Sequence, residues 1–282
     1  MDKNKEQSVL SGLYIVSTPI GNMQDISLRA LNILKVSDII LCEDTRRSGK
    51  LLSHFKIKKK LISYHKFNEK KVSENIIGSI KQDKIISLIS DAGTPTISDP
   101  GSIIINKCIK ENLNIFPIPG ASAVTSVASI SGFADQYFFY GFLPKKENEL
   151  KGILRKICNL DSAIIFFIPA PKINFYITHF KNYFFDRRIV IAKEMTKIHE
   201  EFFRGHVSSF EYLSENLKGE LTVILSEKDK EKEVRKEISE SVKIEIKKML
   251  KKYSHKDVVE FISKKENLSK KKIYDFCLQL RK

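Results

Sequence analysis

The chain has 282 residues, of which 42% are hydrophobic and 29% charged, with a formal net charge of +15. Such a length and apolar content bury a real core and allow two domains of ordinary size, and no apolar run reaches the roughly 18 residues that span a bilayer. The charge invites a polyanionic partner, although 40 lysines against 9 arginines, with abundant Ile and Asn, is also the bias that AT-rich coding yields. Disorder is expected only in the first ten residues, and MDKNKEQS lacks the apolar segment of a signal peptide, so a cytoplasmic protein is expected. Cys42, Cys108, Cys158 and Cys277 lie far apart with no CxxC pair, which fits reduced, buried thiols rather than disulfides or a metal site.

The first apolar segment, Leu13–Ser17, reads as a strand that runs into Thr18-Pro19-Ile20-Gly21-Asn22. Ser27 then caps a predicted helix over 27–36, with Leu28, Leu31 and Leu34 at helical spacing. Strand, tight loop and helix open a doubly wound α/β unit, but the loop is not GxGxxG and that motif is absent elsewhere, which disfavours a dinucleotide site of the usual kind. Ile39–Leu41 is a second strand, ending at Cys42-Glu43-Asp44-Thr45-Arg46-Arg47. That cluster is either a mutually neutralising surface turn or a functional group of charges at a carboxyl strand end. Leu61–Tyr64 is a third strand followed by His65, and a helix over Val72–Gln82 returns to Ile85–Ile89, apolar on both faces like a covered parallel strand. The strand stops at Asp91-Ala92-Gly93-Thr94-Pro95, and with Ser98-Asp99-Pro100-Gly101 the loop lies where open α/β sheets bind ligands.

A helix from Gly101 to about Glu111 and the strand Asn114–Ile118 follow, then the small residues Pro119-Gly120-Ala121-Ser122-Ala123. These lead a helix over Ala121–Ser131 whose first N–H groups are available as donors and which Gly132 stops. A first unit is thus expected over 12–118, and the alternation resumes over 119–226: strand Tyr137–Phe142, helix Glu147–Ile157, strand Ser162–Ile168, helix Lys172–Tyr183, strand Arg188–Ala192, helix Ser208–Leu217 and strand Leu221–Leu225. The expected fold class is α/β, in two consecutive domains. From Glu227 the run EKDKEKEVRKE reads as a solvated linker opening the last segment, 227–282. Residues 241–282 hold 13 Lys/Arg against 5 Asp/Glu, with helical periodicity in Ile244, Ile246 and Leu250, in Val258, Val259 and Ile262, and in Ile273, Phe276 and Leu280. Short basic helices of this kind resemble a helix-turn-helix, or else pack on the second domain.

Taken together, TPIGN at 18–22, EDTRRSG at 43–49, SDAGTPTISDPG at 90–101, PGASA at 119–123, GFLP at 141–144, KEMTKIHEEFFRG at 193–205 and GEL at 219–221 form a specific ordered set. In that order and spacing the chain resembles, over roughly residues 12–280, the bacterial 16S ribosomal RNA (cytidine-2′-O)-methyltransferase I family of the tetrapyrrole methylase superfamily. The resemblance implies two α/β domains of tetrapyrrole-methylase type with a small basic helical extension, a homodimer, and S-adenosylmethionine folded into the cleft between the domains. It implies a cytidine ribose in the decoding region of the small-subunit RNA as substrate. It also implies cofactor binding by Pro19, by Asp91, Ala92 and Gly93, by Ser122 and Ala123, and by backbone near Phe167 and Glu220. One departure stands out: where the family has an aromatic-Glu-Ser-Pro-His-Arg pattern, this chain reads Phe167-Ile168-Pro169-Ala170-Pro171-Lys172, without the Glu, His and Arg.

The residue chemistry agrees with methyl transfer. A sulfonium methyl is already activated, so an enzyme has chiefly to align donor and ribose oxygen and to remove a proton from a weakly acidic hydroxyl, for which no metal is required. Candidate proton acceptors or orienters are Glu43, Asp44, Glu194 and Lys197, the lysine acting as base if desolvation lowers its pKa. Two other readings stay open: a methylase of a tetrapyrrole or another small molecule on the same fold, and a non-catalytic RNA-binding ribosome factor. The basic tail favours RNA over a tetrapyrrole, and the intact glycine and proline loops favour catalysis over binding alone.

Overall fold

The computed structural model describes residues 9–280 apart from 134, 215, 230–237, 239, 251–252, 267 and 269, so most of the charged run from Glu227 lies outside the described residues. Five parallel strands, β1 (Gly12–Val16), β2 (Ile39–Cys42), β3 (Lys60–Ser63), β4 (Ile85–Leu88) and β5 (Ile115–Ile118), form a first sheet in the order β3-β2-β4-β1-β5. Parallel strands need helical crossovers, and the helices bury both faces of the sheet. Helices α1 (Leu28–Val36) and α2 (Thr45–His54) place Ala30, Leu34 and Leu52 on one face, and α3 (Glu69–Ile80) and α4 (Ser102–Lys110) place Ile76, Ile80 and Ile104 on the other. Pro117 lacks a donor and is tolerated because β5 is an edge strand.

The helix α2 is absent from the sequence reading, which sees only a polar cluster there. Asp44 accepts a hydrogen bond from the Arg46 N–H and caps the helix, whose apolar face is no more than Leu51 and Leu52 with the small Ser48 between exposed cations. The cap is the stronger signal, and it accounts for the charges beside it.

After β5 the chain changes sheets, for α5 (Ala123–Ser131) packs its Val124 and Val127 against the second sheet. That sheet holds β6 (Tyr137–Phe142), β7 (Ala163–Pro169), β8 (Arg188–Lys193), β9 (Glu201–His206) and β10 (Glu220–Leu225) in the order β6-β7-β10-β8-β9. Only β6 and β7 are parallel neighbours. Helices α6 (Glu147–Ile157) and α7 (Ile173–Tyr183) cover the far face with Leu150, Leu154, Tyr176 and Phe180.

One expectation fails here, and one strand was not foreseen. Among the described residues of 208–217 no α-helix forms: the chain makes a short 3-10 turn at Val207–Ser209 and then runs irregularly. Phe210 is buried as its spacing suggests, but the Asn174 amide satisfies the backbone in place of a helix, donating to the Leu213 carbonyl at 2.8 Å and accepting from the Leu213 N–H at 2.9 Å. The strand β9 is an edge strand with mostly exposed side chains, and only its pairing with β8 makes it a strand.

Among the described residues the tail holds three helices, Glu240–Met249, His255–Glu266 and Lys270–Gln279. Their buried residues, Ile246, Val258, Ile262, Ile273 and Cys277 among them, form a core of their own. Ile244 and Leu280, counted in the periodic pattern, are exposed instead.

Candidate active site

The two sheets meet around a cleft of about 760 Å³. In the first sheet it opens at the carboxyl ends of β2 and β4, and in the second it is closed by the end of β7, the start of β10 and the loop after β8. Its floor is the loop after β4. The backbone of Gly93 exchanges hydrogen bonds with Thr18, at 2.9 and 3.1 Å, so the loops after β1 and β4 are tied together. Gly93 has φ +84°, and the non-glycine residues Thr96 and Ser98 both have φ +72°, conformations that side chains avoid unless the surroundings impose them. Thr94 Oγ1 donates to the Ala121 carbonyl at 3.2 Å and bonds with Ser17 Oγ at 2.9 Å, which adds the loop after β5 to the same frame.

Ten of the twelve residues singled out in the sequence line this cleft: Glu43, Asp91, Ala92, Gly93, Ser122, Ala123, Phe167, Glu194, Lys197 and Glu220. Pro19 is buried just after the Thr18–Gly93 bridge and is not among the lining residues. Asp44 is not among them either: its carboxylate takes Arg46 Nε at 3.1 Å and Arg46 Nη2 at 2.8 Å besides capping α2, and Arg46 holds it well below the usual carboxylate range. Asp91 is fixed by Arg47 Nη1 at 3.0 Å and by the Asp44 N–H at 3.3 Å. Ser122 starts α5 without a side-chain cap, leaving the first turn open toward the cleft. The departing segment adds Pro169 to the wall and buries Ala170, whose N–H donates to the Gly219 carbonyl at 2.9 Å, so no charge stands there.

The cleft is acidic. Burial and the nearby negative charge of Asp91 push Glu43 above the usual carboxylate range. Asp99, which the sequence shows only as part of a turn, is pushed up to about 7 by burial and then by Glu43, with Asp91 and Glu220 adding to it. Four carboxylates from three segments, the loops after β2 and β4 and the start of β10, thus face the cleft, and Asp99 is the member whose charge changes near neutral pH.

The loop after β8 crosses to the first sheet. Glu194 and Thr196 have φ +49° and +65°, Lys197 Nζ reaches Glu194 Oε1 at 3.1 Å, and Thr196 Oγ1 accepts from the Asn22 N–H at 2.9 Å. A Cβ on Gly21 would meet Lys197 Cγ and Thr196 Oγ1 at 2.6 Å and the Met195 carbonyl at 2.8 Å. Gly21→Ala is therefore expected to destabilise the protein by about 1–3 kcal/mol through overpacking. Gly49, in helix α2 with nothing within 4 Å, is the control: Gly49→Ala should be neutral or stabilising by up to about 1 kcal/mol. Thermal melting of the two variants compares them directly, and equal melting temperatures would disprove the close approach.

The arrangement of two sheets around a cleft matches what comparison finds. Residues 12–211 match the family model of the Tetrapyrrole (Corrin/Porphyrin) Methylases, and the chain belongs to that family. Solved structures share the fold at low identity: the methyltransferase CobJ aligns with TM-score 0.59 and 13% identity over 77% of this chain and 94% of that one. Uroporphyrin-III C-methyl transferase from Thermus thermophilus, complexed with S-adenosyl homocysteine, aligns with TM-score 0.52 and 12% identity over 76% and 97%. Curated relatives are much nearer. A Thermotoga maritima protein is 41% identical over 77% of this chain and 99% of its own length, and a Synechocystis protein is 33% identical over 95% and 98%. Both are named ribosomal RNA small subunit methyltransferase I, and within the larger family the chain belongs with them.

Proposed function

We propose that the cleft binds S-adenosylmethionine and that the chain transfers its methyl group to the 2′-oxygen of a cytidine ribose in the decoding region of small-subunit ribosomal RNA. The observation that carries this reading is the acidic cleft at the carboxyl strand ends, in a chain whose curated relatives bear the ribosomal RNA methyltransferase name. The residues suit the cofactor: Glu43, Asp91, Asp99 and Glu220 face a molecule carrying a sulfonium and an ammonium, Gly93, Ser122 and Ala123 leave room for close backbone approach, and Phe142 and Phe167 supply apolar wall for a base. When bound, the cofactor supplies an activated methyl group.

The chain's own residues then position and deprotonate. Asp91, locked by Arg47, holds its charge in place, and the pair Glu194–Lys197 lines the opposite side. Glu43 takes the hydroxyl proton in this reading, because burial and Asp91 raise its proton affinity while it still lies in the cleft. Asp44 serves the helix and its arginine instead. Glu43→Gln is expected to lower turnover by about 10²–10⁴-fold with cofactor affinity changed only a few-fold. Single-turnover rates and calorimetry separate the two effects, and an unchanged rate would remove Glu43 from the mechanism.

The same reading includes work in the cytoplasm, RNA affinity from the basic tail, and a homodimer. An exposed edge strand β6 with Tyr137 and Phe138 open to solvent supports the last of these. The deciding experiment is incubation with labelled S-adenosylmethionine and small ribosomal subunits that lack the modification, followed by nucleoside mapping. Label in 2′-O-methylcytidine is expected. Label on a base, or none, overturns the assignment.

A further inference from the structure

Phe67, in the loop after β3, is 95% exposed. The loop is built without its ring. The His65 N–H donates to Asn68 Oδ1 at 2.8 Å, Asn68 Nδ2 donates to the Ser63 carbonyl at 2.9 Å, and the N–H groups of Asn68 and Glu69 reach the His65 carbonyl at 2.9 and 3.0 Å. The Phe67 N–H donates to His65 Nδ1 at 3.3 Å, and the imidazole stands edge-on 6.0 Å from the phenyl ring. A large apolar ring is thus held outward by a preformed loop whose hydrogen bonds do not involve it and whose contact with it is the edge of His65, and its neighbours Lys66 and Asn68 add no apolar patch around it.

The loop begins beside the cleft. β3 lies beside β2, the Tyr64 N–H donates to the Cys42 carbonyl at 2.8 Å, and Ser63 Oγ donates to the Glu43 carbonyl at 3.4 Å, so the loop starts next to a cleft residue. The exposed side chains of its own loop and of the neighbouring helix are mainly cationic: Lys66, Lys70 and Lys71 along the loop and the start of α3, and Lys50 with the ion-paired Arg46 and Arg47 on α2. A lone aromatic face among cations is the combination that holds single-stranded nucleic acid, the charges following phosphates and the ring stacking on a base.

We propose that Phe67 is a stacking platform for an unpaired base of the RNA substrate, adjacent to the nucleotide whose ribose enters the cleft. This rests on the RNA methyltransferase reading above and names a positioning residue for it. Stacking orients the strand at the rim while the catalytic groups act inside. The ring works by its flat face, so tyrosine or tryptophan should replace it and leucine should not.

The test uses the full-length protein and small ribosomal subunits that lack the modification. Phe67→Ala should weaken subunit binding by about ten- to a hundredfold, as expected for one lost base stack. Its melting temperature and its calorimetric affinity for S-adenosylmethionine should match the wild type. Phe67→Trp should restore subunit affinity and Phe67→Leu should behave like Phe67→Ala. The salt dependence of binding should keep its slope in Phe67→Ala and flatten in Lys66→Ala, because only the lysine releases counterions. Wild-type affinity in Phe67→Ala overturns the platform and leaves the methyltransferase reading standing; a wild-type protein that neither binds nor methylates the subunits overturns both. Full affinity in Phe67→Leu, or a change in the mass of the particle by light scattering in Phe67→Ala, overturns the platform in favour of a protein contact.

Discussion

Replacing Arg187 by methionine is expected to lower stability by about 3–5 kcal/mol, the largest single effect anticipated outside the cleft. The side chain is fully buried, and its guanidinium donates to four backbone carbonyls: Ser162 at 2.8 Å, Ser226 at 2.6 Å, Cys158 at 3.1 Å, and Leu160. These mark the end of α6, the start of β7 and the end of β10, while Arg187 itself precedes β8. One planar fork therefore joins four segments at the end of the second sheet away from the cleft, and its charge is shared with nearby Asp186, Asp161 and Glu227. Methionine keeps much of the volume but leaves the four carbonyls without the donors that the fully buried guanidinium supplies. Arg187→Lys should fall between, since an ammonium has three donors and no fork. A melting temperature lowered by roughly 10 °C is the expected reading for a protein of this size. A fall of only a degree or two in Arg187→Met would mean that the clamp is not what holds these ends together.

Asp99→Asn is expected to move stability and ligand affinity in opposite directions. In the folded chain the carboxyl titrates near 7, against an ordinary 3.8. Between those values the folded state binds more protons than the unfolded one, so stability falls as pH rises through that window and the penalty is complete above about 7. Asparagine removes a charge that Glu43, Asp91 and Glu220 disfavour, and should stabilise the protein at pH 8 by about 1–2 kcal/mol, the open cleft letting water screen the repulsion. The same charge attracts a cationic ligand. Affinity for S-adenosylmethionine should accordingly rise by about three- to tenfold between pH 6 and pH 8 in the wild type and lose this dependence in Asp99→Asn, with weaker binding at pH 8. Melting and calorimetry at the two pH values provide both readings. A variant no more stable at pH 8, binding with the wild-type pH profile, would show that Asp99 is not the titrating group.

Both predictions depend on residues whose roles emerge only in three dimensions. Much of the frame is legible without them. The strands of the first sheet are covered on both faces and therefore appear as mostly apolar runs, unbroken at Ile39–Leu41 and interrupted only by Ser87 in Ile85–Leu88. The turn residues after them mark the strand ends, and in a parallel sheet all carboxyl ends lie on one side, so Glu43 and Asp91 were bound to be neighbours once β2 and β4 paired. Ten cleft residues follow from that logic and from the ordered set of loops.

The order of residues is enough to read the alternation of strands and helices, the side of the sheet that carries the chemistry, and the family. Tertiary structure alone decided the rest, because it depends on partners distant in sequence. The edge strand β9 exists through its pairing with β8, and Asn174 converts an apparent helix near Leu213 into a pinned loop. Arg187 looks like one more cation until four carbonyls surround it. Asp99 looks like a turn residue until it is buried and Glu43 and Glu220 close on it from two other segments, beside Asp91 of its own loop, and make its proton the one that leaves near neutral pH. Local spacing sets where a backbone can turn or coil; the energy of a buried charge is set by everything within a few ångströms of it, and that company is assembled only when the two sheets meet.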